Sequence, residues 1–177
     1  YPDAYEVGIP NQGVQIIYEV LNERADVLCE RTYAVWPDLE KLMREQNVPQ
    51  FTVDAHRPVG AFDVFGVSFS TELGYTNMLN AIDLAGVPIH AKDRGDNDPI
   101  VIAGGHAAFN PEPIANFIDA AVLGDGEEAA LKITDIIADF KMSDGRVLTA
   151  SITNIPNGDP NPDWQEIMDT HGIETVD

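Results

Sequence analysis

Three short runs constrain this chain most: "FDVFGVSFS" (62–70), "PIVIAGG" (99–105) and "IDAAVLGDG" (118–126), each apolar almost throughout and each ending in glycine or small polar residues. A strand that is apolar on both faces has to be covered on both faces, as in a parallel sheet with helices above and below it. The first run is placed at the centre of such a sheet. A helical pattern, "TELGYTNMLNAIDLAG" (71–86), separates the first two runs and closes at Gly86 as a C′ glycine. A second, "EEAALKITDIIADFK" (127–141), follows the third run, with Leu131, Ile133, Ile136, Ile137 and Phe140 on its inward face. Alternating strands and helices make βα units, so the expected class is α/β: a Rossmann-like or flavodoxin-like, doubly wound, mostly parallel sheet in a three-layer α/β/α arrangement.

Upstream, "VQIIYEVLNER" (14–24) puts Ile16, Ile17, Val20 and Leu21 on one helical face, with Asn11 or Gln12 near the helix start. "DVLCERTYAVW" (26–36) has the β-branched and aromatic content of a strand, and Pro37-Asp38 opens a helix with Leu39, Leu42 and Met43 facing in. Val87 to His90 reads as a short extension strand. The opening "YPDAYEVGIPNQG" reads as the end of a strand entering a loop, which carries the expectation that further chain precedes it. Residues 1–142 are taken as one domain and 143–177 as an extension, in which "RVLTASIT" (146–153) is expected to fill a sheet position left by the incomplete first strand.

With 177 residues and 44% apolar content, one sizeable core is within reach. The formal charge of −20 opposes binding to nucleic acid or to an anionic membrane surface, since both require clustered Lys and Arg. No apolar run approaches the roughly 18 to 20 residues that span a bilayer, and no secretory leader opens the chain, so a soluble, cytoplasmic protein is expected. The single cysteine, Cys29, excludes an internal disulfide or a multi-cysteine cluster in this chain and reads as a small apolar residue on a strand.

In an open parallel sheet all strands deliver their carboxyl ends to one edge, where ligands bind. The candidates are therefore the loops Ser68 to Glu72, Gly104 to Phe109 and Gly124 to Glu128. Each glycine serves either close ligand approach or merely a tight turn. No Walker lysine and no GxGxxG follows any strand. "GDGEEA" places Glu127 and Glu128 where an anion would sit, and carboxylates there suit the positive end of a helix. "DAHRPVG" (54–60) is a near match to the Asp-x-His-x-x-Gly of cobalamin domains, but its glycine is one residue late and His56 reads as a surface-loop histidine. His106, directly after Gly105, is better placed. No catalytic triad order, zincin motif or acidic metal-ligand cluster is present, so no catalytic or metal residue is assigned.

The combination "FDVFGVSFSTEL" followed by "IVIAGGHAAFNPEPIANFIDAAVLGDGEE" resembles the N-terminal cobalamin (B12)-binding-like domain of radical SAM proteins. There, a strand ending Gly-Gly-Pro-His-Ala leads through a Pro-Glu connector to a Gly-Glu-Gly-Glu corner. "YPDAYEVGIPNQGVQIIYEVLNER" and "WPDLEKLMRE" are similar to the large B12-binding-type members in particular, over roughly residues 1–141. The resemblance implies an accessory domain ahead of a radical SAM barrel, the downstream partner, which would carry S-adenosylmethionine and a [4Fe-4S] cluster on a CxxxCxxC motif absent from this chain. It further implies a corrinoid held without a histidine axial ligand by Ser70, Thr71, Gly104, Gly105, His106, Gly124, Gly126 and Glu127, and presented to the catalytic barrel. The alternative is a docking module with a degenerate B12-type fold that binds no cofactor, using "HAAFNPEP" with its exposed-looking Phe109. A free-standing flavodoxin-like binder ranks last, since no hydroxyl-rich phosphate loop follows the first strand.

Overall fold

The two apolar runs that bracket the helical pattern over 71–86 become neighbouring parallel strands. A computed structural model describes residues 1–144, with side chains described through 137. Strand β1 (Val64–Ser68) pairs with β2 (Ile100–Gly104) along its whole length, from Val64 opposite Ile100 to Ser68 opposite Gly104. Strand β3 (Ala120–Ala121) pairs with β2, also parallel, through Ile102–Ala120 and Ala103–Ala121. Among the described residues the sheet order is β1-β2-β3.

Among the described residues, then, the run expected at the centre pairs on one side only, and "PIVIAGG" pairs on both. Burial follows from that position. In β2, Val101 and Ala103 enter one apolar cluster while Ile100 and Ile102 enter the other. In β1, only Phe65 and Val67 are buried, and Gly66 between them faces open space.

Helix α1 (Tyr5–Gly8) is a single turn, α2 spans Gln12–Asn22 and α3 Pro37–Gln46. Helix α4 (Tyr75–Leu84) follows β1, and α5 (Gly126–Asp144) follows β3. Met78 and Ile82 of α4 cover the Phe65, Val67 and Val101 face, whereas Ile133 and Ile137 of α5 cover the Ile100, Ile102 and Ala120 face. Helix, sheet and helix form the three layers of a small α/β Rossmann- or flavodoxin-like fold. The β2–β3 connection contains no α-helix, only two 3₁₀ turns, His106–Phe109 and Glu112–Ile114.

Local signals fixed the helix ends. Asn11 caps α2, its side-chain oxygen accepting from the Val14 N–H at 3.0 Å. Pro37 opens α3, and Asn47 ends it in the left-handed region. Gly86, at φ +72, stands just past α4 as the helical pattern requires. Inward faces were less faithful. Of the three α3 positions only Met43 is buried, Leu39 and Leu42 remaining exposed, because α3 rests on α4 through polar groups: Arg44 donates to Asp83 and Asn80. Ile16 of α2 is likewise exposed.

The strand expected over 26–36 is absent. Its backbone groups find scattered partners instead of one neighbouring strand: the Cys29 N–H donates to the Asn22 side chain, the Arg31 N–H to Asp54 and the Ala34 N–H to the Asp3 carbonyl. Only one bridge forms, parallel, between Ala4 and Ala34. Cys29 thus lies on irregular backbone, half-buried, with burial pushing its thiol up to about 11. The extension strand at Val87–His90 is also absent: Pro88 has no N–H to give a ladder, and the Pro88 and Ile89 carbonyls accept from Arg94. Arg94, nearly fully buried, also donates to the Phe117 carbonyl and to Asp119, tying the two connectors together at the amino end of the sheet. Burial pushes the Asp119 carboxyl up, while the Val101 N–H and Arg94 oppose it. The inward position of Phe140, the strand over 146–153 and the role of the tail lie outside the described residues.

Candidate functional site

Parallel pairing brings the exits of β1, β2 and β3 to one edge. The first two loops are clamped together. The Phe69 N–H donates to the Gly104 carbonyl at 2.8 Å, and the Phe69 carbonyl accepts from the Ala107 N–H at 3.3 Å. Tyr75 then bonds the Ala107 and Asn110 carbonyls through its hydroxyl and packs edge-to-face on Phe69.

The eight candidate residues separate by what already occupies them. Gly105 has φ +85, and a β-carbon there would stand 2.5 Å from the Phe69 carbonyl oxygen, so its missing side chain serves the clamp between the loops. Gly126, at the first turn of α5, lies against Ile17 of α2, whose Cδ1 would be 3.1 Å from a β-carbon. The Ser70 hydroxyl is bonded to the Tyr1 hydroxyl at 2.9 Å. Gly104 and Gly124 are different: a β-carbon on either would meet nothing within 4 Å, and Gly124 turns the chain at φ +103. Thr71, His106 and Glu127 are exposed, with the His106 ring beside Phe109. Glu127 and Glu128 occupy the first turn of α5, where carboxylates complement the helix dipole.

One feature of this edge was legible only in part. Each exit loop leaves a large apolar side chain in solvent: Leu73 at 86% exposure after β1, Phe109 at 65% after β2 and Leu123 at 48% after β3. Phe109 stood out in the sequence. Leu73 was absorbed into a helical pattern and Leu123 into a strand; their positions just beyond or just before the small residues of the turns were the available signal. The cavity under the N-terminal segment, about 10 Å³ and lined by Tyr1, Pro2, Tyr33, Phe65, Val67 and Met78 among others, lies against the buried face of β1.

The residues of the cobalamin-like "DAHRPVG" are engaged in local contacts. Asp54 accepts from the Arg31 backbone and guanidinium; burial works to raise its carboxyl, but these bonds hold it below the ordinary value. His56 sits in a tight turn at φ +57 with its ring against Phe51. Among the described residues no three His, Cys, Asp or Glu side chains are placed to hold a metal ion. No helix among them is long and apolar enough to cross a membrane. Cys29 offers one half-buried, protonated thiol, which does not fit the several thiolates that a [4Fe-4S] cluster needs.

A family model described as "Radical SAM proteins, N-terminal" matches residues 13–156. No curated protein and no solved structure gives a significant match.

Proposed function

The chain belongs to the family of radical SAM protein N-terminal domains, and on that footing we propose that it is an accessory domain whose carboxyl edge docks against the radical SAM catalytic barrel. The observation that carries this reading is the exposure of Leu73, Phe109 and Leu123, one on each exit loop. Large apolar side chains held in water on a rigid scaffold are what a protein contact covers. Phe69, Gly105 and Tyr75 lock the first two of these loops together. The cluster and S-adenosylmethionine belong, in this reading, to the catalytic barrel, which supplies the radical chemistry. This chain supplies the contact.

A photo-crosslinking amino acid placed at Phe109 or Leu123, in the radical SAM protein with its catalytic polypeptide present, tests the reading. Crosslinks to the cysteine-motif polypeptide are expected from both positions and not from Leu42, which is equally exposed on α3. Equal yields from all three would refute docking by this edge.

A second reading, corrinoid presentation, is favoured by the open backbone at Gly104 and Gly124, where a large flat ligand could approach closely. The histidine near match being a structural turn, the corrin would rest on backbone and small side chains without a histidine ligand to cobalt. Calorimetric titration of the folded protein with hydroxocobalamin should then show saturable binding. No binding by the folded protein would exclude it.

A further inference from the structure

We infer that residues 146–153 add a strand to the open side of β1, parallel to it, and so deliver the segment that follows to the same edge as the three exit loops. Strand β1 offers alternate backbone groups to β2: the Asp63 carbonyl accepts from the Ile100 N–H and the Phe69 N–H donates to the Gly104 carbonyl. By the same alternation Val64, Gly66 and Ser68 turn their N–H and C=O groups the other way. Among the described residues no strand pairs with β1 on that side. Gly66 is exposed, and a β-carbon on it would meet nothing within 4 Å. A bare strand edge of this kind is a template for one more extended segment.

Handedness, reach and pattern select 146–153 as that segment. Helix α4 carries the chain from β1 to β2 across one face of the sheet, and α5 lies on the other face. Right-handed crossovers that travel in opposite directions use opposite faces, so a parallel strand that follows α5 belongs on the β1 side of β3. Since β1, β2 and β3 are already neighbours, the free position on that side lies beyond β1. Val64, at the amino end of β1, packs against the cluster that contains Ile133 and Ile137, so α5 reaches the end of the sheet where such a strand would begin. Gly145 directly follows α5 as a helix stop. The run "RVLTASIT" then alternates Leu148, Ala150 and Ile152 with Val147, Thr149 and Ser151, the period of a strand covered on one face. The match to radical SAM N-terminal domains continues through residue 156, which includes this run in the domain. A parallel strand here sends "NIPNGDPNP" (154–162) to the carboxyl edge as a further loop, next to the one after β1.

Amide hydrogen exchange of the full 177-residue chain, read residue by residue, tests this. The Gly66 and Ser68 amides should be protected to within about tenfold of Phe65 and Val67, whose N–H groups face β2. Because alternate groups of the added strand face β1, one of Thr149→Pro and Ala150→Pro must remove a bonded donor. That variant should speed exchange at Gly66 by about tenfold or more while Phe65 and Val67 stay slow, and Glu174→Pro, beyond the segment, should change neither. Free exchange at Gly66 and Ser68 in the full chain, beside protected Phe65 and Val67, would overturn the assignment. So would protection at Gly66 that survives both proline variants, or that grows with protein concentration and thereby makes a second copy the occupant. If a proline variant unfolds, seen as lost protection at Phe65, the pattern of the unmutated chain decides.

Discussion

Gly104 and Gly105 are adjacent and alike in sequence, yet alanine at the two positions should behave oppositely. Gly105 has φ +85 and ψ −174, a region essentially reserved for glycine, and forcing another residue there costs about 1–3 kcal/mol. The added methyl would stand 2.5 Å from the Phe69 carbonyl oxygen and 3.0 Å from its nitrogen, both backbone atoms that cannot rotate away. Displacing Phe69 strains two hydrogen bonds, to Gly104 and from Ala107, each contributing about 0.5–1.5 kcal/mol. The expected loss for Gly105→Ala is about 4 kcal/mol, a large part of the roughly 5–15 kcal/mol by which such domains are stable. At about 2–4 °C per kcal/mol for a chain of this size, the melting temperature should fall by about 8–16 °C. Gly104→Ala, whose methyl meets nothing, should stay within about 0.5 kcal/mol. Urea unfolding followed by far-UV circular dichroism measures both. A Gly105→Ala variant within about 1 kcal/mol of the parent, or a Gly104→Ala variant that is the more damaging, would refute the assignment of Gly105 to the loop clamp.

Three further outcomes are expected. Arg94→Ala removes donors to three backbone carbonyls and to Asp119 at a nearly buried site, and should cost about 3–5 kcal/mol in urea unfolding; Arg94→Lys should recover only part, since an ammonium cannot span the same four acceptors. The Cys29 thiol, at about 11 against an ordinary 9.0, should carry about one hundredth of the usual thiolate near pH 8, so iodoacetamide labelling of the folded chain should be slow and become fast in urea. Asp54 is held below its ordinary value by Arg31, so its stabilisation is complete above the normal carboxylate range and is lost as pH falls through the lowered value; Asp54→Asn should remove about 0.5–1 kcal/mol at neutral pH and flatten the acid limb of the stability profile.

The helix boundaries at Asn11, Pro37 and Gly86 were legible because caps and breakers act within a few residues of themselves. The parallel sense of the sheet was legible in the doubly apolar "PIVIAGG" and in the long helical pattern between the first two runs. The same signals put "FDVFGVSFS" at the centre, whereas among the described residues β1 pairs on one side only; its apolar sequence does not reveal that Phe65 and Val67 are covered while Gly66 between them faces open space. The strand expected over 26–36 failed for a related reason: propensity describes what a segment suits, whereas a ladder also needs a continuous neighbour, and here the partners are Asn22, Asp54 and Asp3.

At the candidate site, local chemistry located the loops and distance in sequence decided their roles. That glycines mark the exits of β2 and β3 follows from the residues alone, since glycine turns most freely at positive φ. Whether a glycine is open or closed depends on Phe69 beside Gly105 and on Ile17 beside Gly126, neighbours 36 and 109 positions away. The sequence by itself determined that βα units would gather strand exits of glycine or small polar residues at one edge. Tertiary structure alone decided that Leu73 and Leu123 would stay in water there beside Phe109, because burial depends on which remote elements come to cover a side chain, and no local pattern encodes that.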